Sequence, residues 1–248
     1  MAGDAWNIAL NIIASVITGS AVWISGRLLA RRRLRRMQDF FGMSTEVECL
    51  LVMPRMVSAD NARSVHRNDA AAMLELSSVL GDCRARPEVI FHDQVYQGLA
   101  DKPEFCIGGP AANRRTEAHL RSVLPGVHVA AGEEPAVPTI SVGGEDYAAE
   151  HGRVEYVVLA KMVRAELARP AFLICGQTSI SNRAACRYLV VNHRALMRKH
   201  GVRGRFCLVL RVLESSTYGP SVVELVRDVT AEAFTGGRAA VEAKPVGG

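Results

Sequence analysis

The chain has 248 residues, 49% hydrophobic and 6% aromatic, with a formal net charge of +5. That length holds one large domain or two small ones and enough apolar material for a full core. So few aromatics leave little with which to build a base-stacking platform. The charge is local: six arginines lie between Arg27 and Arg36, and removing them from +5 leaves −1. The rest of the chain presents no basic face, which argues against a nucleic-acid partner.

The basic residues are nearly all Arg, with Lys only at Lys102, Lys161, Lys199 and Lys244, a bias that suits a GC-rich bacterial genome. Six cysteines occur, none in a C-x-x-C pair and none with a close His partner. They read as small core residues in a reducing compartment, and no metal site is predicted.

From Ile8 to Gly26 the sequence IALNIIASVITGSAVWISG carries no charge, and RLLARRRLRRMQ follows at once. A helix rises about 1.5 Å per residue against a hydrocarbon core of about 30 Å, so this run predicts a single transmembrane helix. The arginines predict a cytoplasmic side for everything after Arg27 and an N-terminus outside the cell membrane. They also make the lipid bilayer an expected partner. The N-terminus MAGDAW lacks the positive region of a cleaved signal. Ser15 with Gly19, and Ala21 with Ser25, form small-x-x-x-small pairs that would let this helix form a homo-oligomer.

LRRMQDFFGM continues that helix through Phe40 and Phe41, with Gly42 as the stop. EVECLLVMP reads as a strand, and the segment from Asn68 or Asp69 through Ala72, Leu76 and Leu80 as a helix closed by Gly81. PEVIFHD and EFCIGGP are further short strands, and NRRTEAHLRSVL is a helix. PGVHVAAGEEPAVPTISVGGEDY is loop-rich, with one strand at TISV and a turn at Glu145-Asp146. RVEYVVLAKMVRAELA opens as a strand and passes into a helix, and PAFLICG is a buried strand. SNRAACRYLVVNHRALMRKHG is a helix ending on basic residues and glycine. RFCLVLRVLES and SVVELVRDVT are closing strands joined at YGP.

Strands alternating with helices predict a three-layer, Rossmann-like α/β domain whose sheet is mostly parallel, with an antiparallel hairpin at one edge. The expected division is residues 1–42 as transmembrane anchor and basic juxtamembrane helix, 43–234 as cytosolic α/β domain, and 235–248 as a disordered tail.

Two stretches have the layout of a phosphate cradle. FCIGGPAANRRTEAHL runs from a strand into Gly108-Gly109 and then a helix starting near Asn113, Arg114 and Thr116. AFLICGQTSISNRAACRYL runs from a strand into Gly176 and then Thr178, Ser179 and Asn182. Glycine permits close backbone approach, helix-start amides attract anions, and parallel strands present their carboxyl ends on one edge. The nine named residues are the candidate ligand set for a phosphorylated small molecule, foremost a nucleotide or derivative, bound by a sensor module. The plain alternative for each loop is a compact strand-to-helix turn.

Neither loop is G-x-G-x-x-G or a P-loop. No catalytic set is assigned. His92-Asp93, at a strand end, is the best acid/base candidate if the protein is instead a hydrolase or transferase, and Asp93 also suits a ribose hydroxyl. A non-catalytic scaffold is the third option.

The uncharged N-terminal run, the FFG junction, the GGP..N..T loop and the later strand–G.T–helix together resemble a group of uncharacterised actinobacterial single-span membrane proteins. The architecture is also similar to membrane-tethered Rossmann-like ligand sensors of bacterial stress and defence systems. The resemblance implies a membrane-tethered α/β domain and implies no particular activity.

Overall fold

A computed structural model describes residues 2–55, 64–96, 98, 101–130, 137–163 and 169–235, with α1 side chains described at Trp6, Leu10 and from Ser15 onward. Of the tail expected at 235–248 only Thr235 lies among the described residues, at the end of a helix, and residues 164–168, in the later part of the strand-to-helix segment RVEYVVLAKMVRAELA, lie outside them.

Helix α1 (Ala2–Phe41) ends where Gly42 adopts a φ of 68°. A Cβ at Gly42 would overlap the Pro170 ring, so glycine is required there by both space and conformation. The helix joins the body through its last turns. Phe40 and Phe41 are fully buried; Phe41 packs 5.4 Å from Phe172, and Phe40 stacks 6.3 Å from Phe206. Gln38 donates to the Cys83 carbonyl at 2.9 Å. The buried Lys161 places its Nζ 4.2 Å from the Phe40 ring and donates to the Val202 carbonyl at 2.6 Å. Burial pulls the Lys161 pKa down to about 7.

Among the described residues no helix is long and apolar enough to cross a membrane, which corrects the transmembrane reading of residues 8–26. Helix length alone does not make a span. The run carries Asn11, Ser15, Thr18, Ser20 and Ser25 and two glycines, Gly19 and Gly26, which dilute its apolar character. The single-pass anchor, the outside N-terminus and the cytoplasmic assignment of the remainder depend on that span and fall with it.

The body begins with β1 (Glu48–Met53), α2 (Arg67–Cys83) and β2 (Arg86–Phe91), followed by β3 (Glu104–Ile107) and α3 (Arg114–Ser122). The N-cap of α2 is His66, whose Nδ1 accepts from the Asn68 amide at 3.2 Å, two or three residues before the Asn68 or Asp69 cap expected. Three short strands, β4 (Val127–Ala130), β5 (Thr139–Val142) and β6 (Glu145–Tyr147), form a separate antiparallel sheet. Then come β7 (Val154–Met162), β8 (Ala171–Gly176), α4 (Ser179–His200), β9 (Phe206–Leu213), α5 (Ser215–Tyr218), β10 (Val223–Asp228) and α6 (Thr230–Thr235).

The main sheet has seven strands in the order β10-β9-β7-β8-β3-β1-β2. The pairs β1–β2, β1–β3 and β3–β8 are parallel, whereas β8–β7, β7–β9 and β9–β10 are antiparallel. The sheet is therefore mixed, not the mostly parallel Rossmann-like sheet expected. The physical reason is connection length. Residues 163–170 link β7 to β8, too short for the dozen or more residues of a parallel crossover. Apolar runs mark buried strands but carry no direction. Because β8 and β9 both oppose β7, five strands (β1, β2, β3, β8, β9) still point the same way.

Each face of the sheet has its own core. Alternation in β1 sends Cys49, Leu51 and Met53 to one face, packed with α2, α4 and the end of α1. Leu50 and Val52 go to the other, packed with α3, the small sheet and α6. All six cysteines are free and buried.

Candidate functional site

The chain leaves the sheet toward one face after β1, toward the other after β3, and toward the first again after β8, since α2 and α4 share a core that α3 does not. Such reversals splay the carboxyl ends of strands and open a crevice between them. A cavity of about 600 Å³ lies there, walled by Pro54 and Arg55 after β1, by residues 108–112 after β3, and by residues 176–179 with Asn182 after β8. Asp69, Glu117, Val129 and Pro138 complete it.

Six of the nine expected residues line this cavity: Gly108, Gly109, Gly176, Thr178, Ser179 and Asn182. Gly109 and Gly176 face each other, and a Cβ on Gly109 would stand 3.6 Å from the Gly176 carbonyl oxygen, an ordinary contact. The neighbouring glycines have no such room. Gly108 has a φ of 101°, and a Cβ there would lie 2.8 Å from the Pro54 side chain. A Cβ on Gly176 would strike Ser181 Oγ and lie 2.9 Å from the Asn182 amide.

The other three sit elsewhere. Asn113 is fully buried; its Nδ2 donates to the Ile107 carbonyl at 2.7 Å, and its Oδ1 caps α3 by accepting from the Arg115 amide at 2.9 Å and the Thr116 amide at 3.3 Å. Thr116, also fully buried, donates to the Gly108 carbonyl at 2.8 Å. Both build the turn from beneath. Arg114 is exposed outside the cavity lining, and its amide donates to His92 Nδ1 at 3.3 Å.

Three charged groups shape the site. Asp69, 6% exposed, accepts from Asn182 Nδ2 at 3.0 Å. Burial raises its carboxyl above the ordinary value, which the Asn182 bond only partly offsets. Arg55 is clamped by Asp93 through Nε at 3.0 Å and Nη2 at 2.7 Å, and its guanidinium lies 4.5 Å from the Phe91 ring. Its buried Nη1 has no hydrogen-bond partner among the described residues. Glu117 stands at the rim, paired with Arg121.

Asp93 therefore serves Arg55, whose bonds hold its carboxyl below the ordinary range. It is engaged with that guanidinium instead of forming a relay with His92. Burial lowers the His92 pKa. The β8 turn is fixed from several sides. Thr178 caps α4, and its hydroxyl donates to the buried Glu155 of β7, which also accepts from Ser215 at 2.7 Å. Gln177 donates to the carbonyls of Pro138 and Tyr147, both at 2.7 Å, and accepts from the Tyr156 amide at 2.7 Å.

Arg55, Asp69 and Gln177 were not singled out as site residues in the sequence. The first two follow β1, whose carboxyl end lies on the same edge, so the switch-point rule applied to a third strand would have found them.

Among the described residues one buried cluster has metal-like composition: Glu104, Cys106 and His119 bring ligand atoms within 4.8 Å of one another. A cation already occupies it. Arg115 donates to Glu104 Oε1 at 3.0 Å and to Oε2 at 2.7 Å, and His119 Nε2 lies 2.7 Å from Oε1. Burial pushes the Cys106 thiol well up, away from the thiolate a metal needs. The cluster is a clasp between β3 and α3.

The chain matches no protein-family model, and no curated protein or solved structure is significantly similar to it.

Proposed function

We propose that the crevice binds a phosphorylated small molecule, a nucleotide or a close derivative, and that the α/β domain acts as a ligand-binding sensor module. The single observation that carries the reading is the meeting of two glycine turns, at Gly109 and Gly176, across one cavity that ends on the first turn of α4. Bare backbone at Gly109 admits close approach by a ligand. The α4 N-terminus and the spare Nη1 of Arg55 supply positive potential for phosphate. Asp69 offers an acceptor for sugar hydroxyls. Pro54, Pro110, Val129 and Pro138 give an apolar wall for a base.

The test is a thermal-shift screen of the full chain against nucleoside triphosphates, nucleoside diphosphates and sugar phosphates. A ligand at one hundred times its Kd adds about 2.7 kcal/mol, or roughly 5–10 °C in Tm for a chain of this size. Gly109→Val should abolish the shift while leaving the ligand-free Tm nearly unchanged. No shift with any member of the panel, or one that Gly109→Val leaves intact, would refute the reading.

A further inference from the structure

A second cavity, of about 500 Å³, lies far from the crevice in the fold, between the later turns of α1 and α4 and the end of α2. It is lined by Arg33 and Arg36 from α1 and by Arg194 and Arg198 from α4, with His193 beside them and Asp82 as its one acid. Spacings of three on α1 and four on α4 bring each pair onto one helix face. Leu34, Met37 and Met197 form the floor.

None of these four arginines has a hydrogen-bond or ion-pair partner among the described residues. Arginines elsewhere on the body do find carboxylates: Arg121 with Glu117, Arg153 with Glu150, Arg211 with Glu224 and Arg227 with Glu232. Among the described residues around the cavity, four arginines face one carboxylate. The helix dipole accounts for Arg198, in the last turn of α4. It does not account for Arg194, nor for Arg33 and Arg36, which precede the last turn of α1.

We infer that this groove is a second binding site, for a compact polyanion carrying several phosphate charges. Guanidinium forks grip phosphate oxygens in pairs, and the volume suits a small molecule. His193 stands beside them with its Nδ1 donating to the Val190 carbonyl at 2.6 Å, so that its Nε2 can donate to a phosphate oxygen when the ring carries both protons. The site is independent of the crevice, shares no lining residue with it, and does not rest on the reading given for it.

Calorimetric titration of the full chain with inorganic triphosphate tests the inference. Saturable one-to-one binding is expected at low ionic strength, weakening at physiological salt. Arg33→Ala with Arg194→Ala should lower affinity by roughly tenfold or more without altering Tm, since both side chains are exposed and unpaired. Asp82→Asn should raise affinity, and Gly109→Val should leave it unchanged. Absence of saturable binding, or affinity indifferent to the arginine substitutions, would overturn the inference. Loss of binding with Gly109→Val alone would move the triphosphate to the crevice and also overturn it. Anionic lipid vesicles serve as the competing arm: vesicle binding that needs the arginines, with no triphosphate binding, would assign the groove to a surface and overturn the small-ligand site.

Discussion

In the turn after β3, Asn113 caps α3 with its Oδ1 and holds the Ile107 carbonyl with its Nδ2. In the turn after β8 the cap is Thr178, and Asn182 sits one turn into α4, with its Oδ1 on the Gly176 amide and its Nδ2 on Asp69. The Asn-Arg that the two stretches share occupies different helix positions and serves different bonds. The β3 turn is fastened mostly to its own strand and helix, through Asn113, Thr116 and Glu104, with two backbone bonds outward, from the Arg55 amide to the Ala112 carbonyl at 3.1 Å and from the Arg114 amide to His92 Nδ1 at 3.3 Å. The β8 turn is tied outward, to α2 through Asp69, to β7 through Glu155, and to β6 through Gln177. One wall of the crevice is thus braced by its neighbours, and the other leaves Gly109 as bare backbone facing it.

Four substitutions bear on that contrast. The largest effect is expected for Glu104→Gln. Glu104 is 1% exposed; burial would raise its carboxyl, but bonds from His119 and Arg115 outweigh that and hold it down to about 2. A carboxyl depressed in the folded state stabilises the fold above its ordinary pKa, and that contribution is lost as pH falls through the folded value. Wild type should lose this stabilisation between about 4.5 and about 2. The variant should lack that acid step and be less stable at pH 7 by about 3–5 kcal/mol, as measured by urea unfolding across pH.

Gly176→Ala comes next. Its Cβ would press on the Asn182 backbone and Ser181, costing about 2–3 kcal/mol. An unchanged unfolding midpoint would show that the β8 turn is looser than described.

Asp69→Asn should be milder and of opposite sign. Burial raises this carboxyl, so the folded state holds its proton more tightly than the unfolded state, and stability falls as pH rises past the ordinary Asp value. The amide keeps the Asn182 contact without the buried charge. Stability at pH 7 should rise by up to about 1 kcal/mol, while affinity for a sugar-bearing ligand falls. Destabilisation at pH 7 would mean that the ionised form is needed to brace the turn.

Gly109→Val should change stability least, within about 1 kcal/mol, because a Cβ there meets only an ordinary contact. A large loss of stability would erase the distinction between an open wall and a braced one.

Much of this was readable in the sequence. The strands at 48–53, 104–107, 171–176 and 206–213 follow from short apolar runs, and the long helix at 179–200 from its spacing and basic end. β4, β6 and α6 were not read, because a four-residue strand of mixed polarity, a three-residue strand after Gly143-Gly144 and a six-residue helix are too short to show a period. Sheet direction was misread because it depends on connections, as β7 shows. At the site, glycines and polar residues after strands point to the crevice, but sequence does not tell an asparagine that faces a ligand from one that fastens a turn. Asn113 and Thr116 are of the second kind.

Amide hydrogen exchange on the full chain, with and without the nucleotide that gives the largest thermal shift, tests the shared crevice most directly. The account predicts that residues 108–113 and 176–182 gain protection together, and that Gly109→Val removes both gains at once. Protection confined to one turn, or found only on other elements, would contradict it.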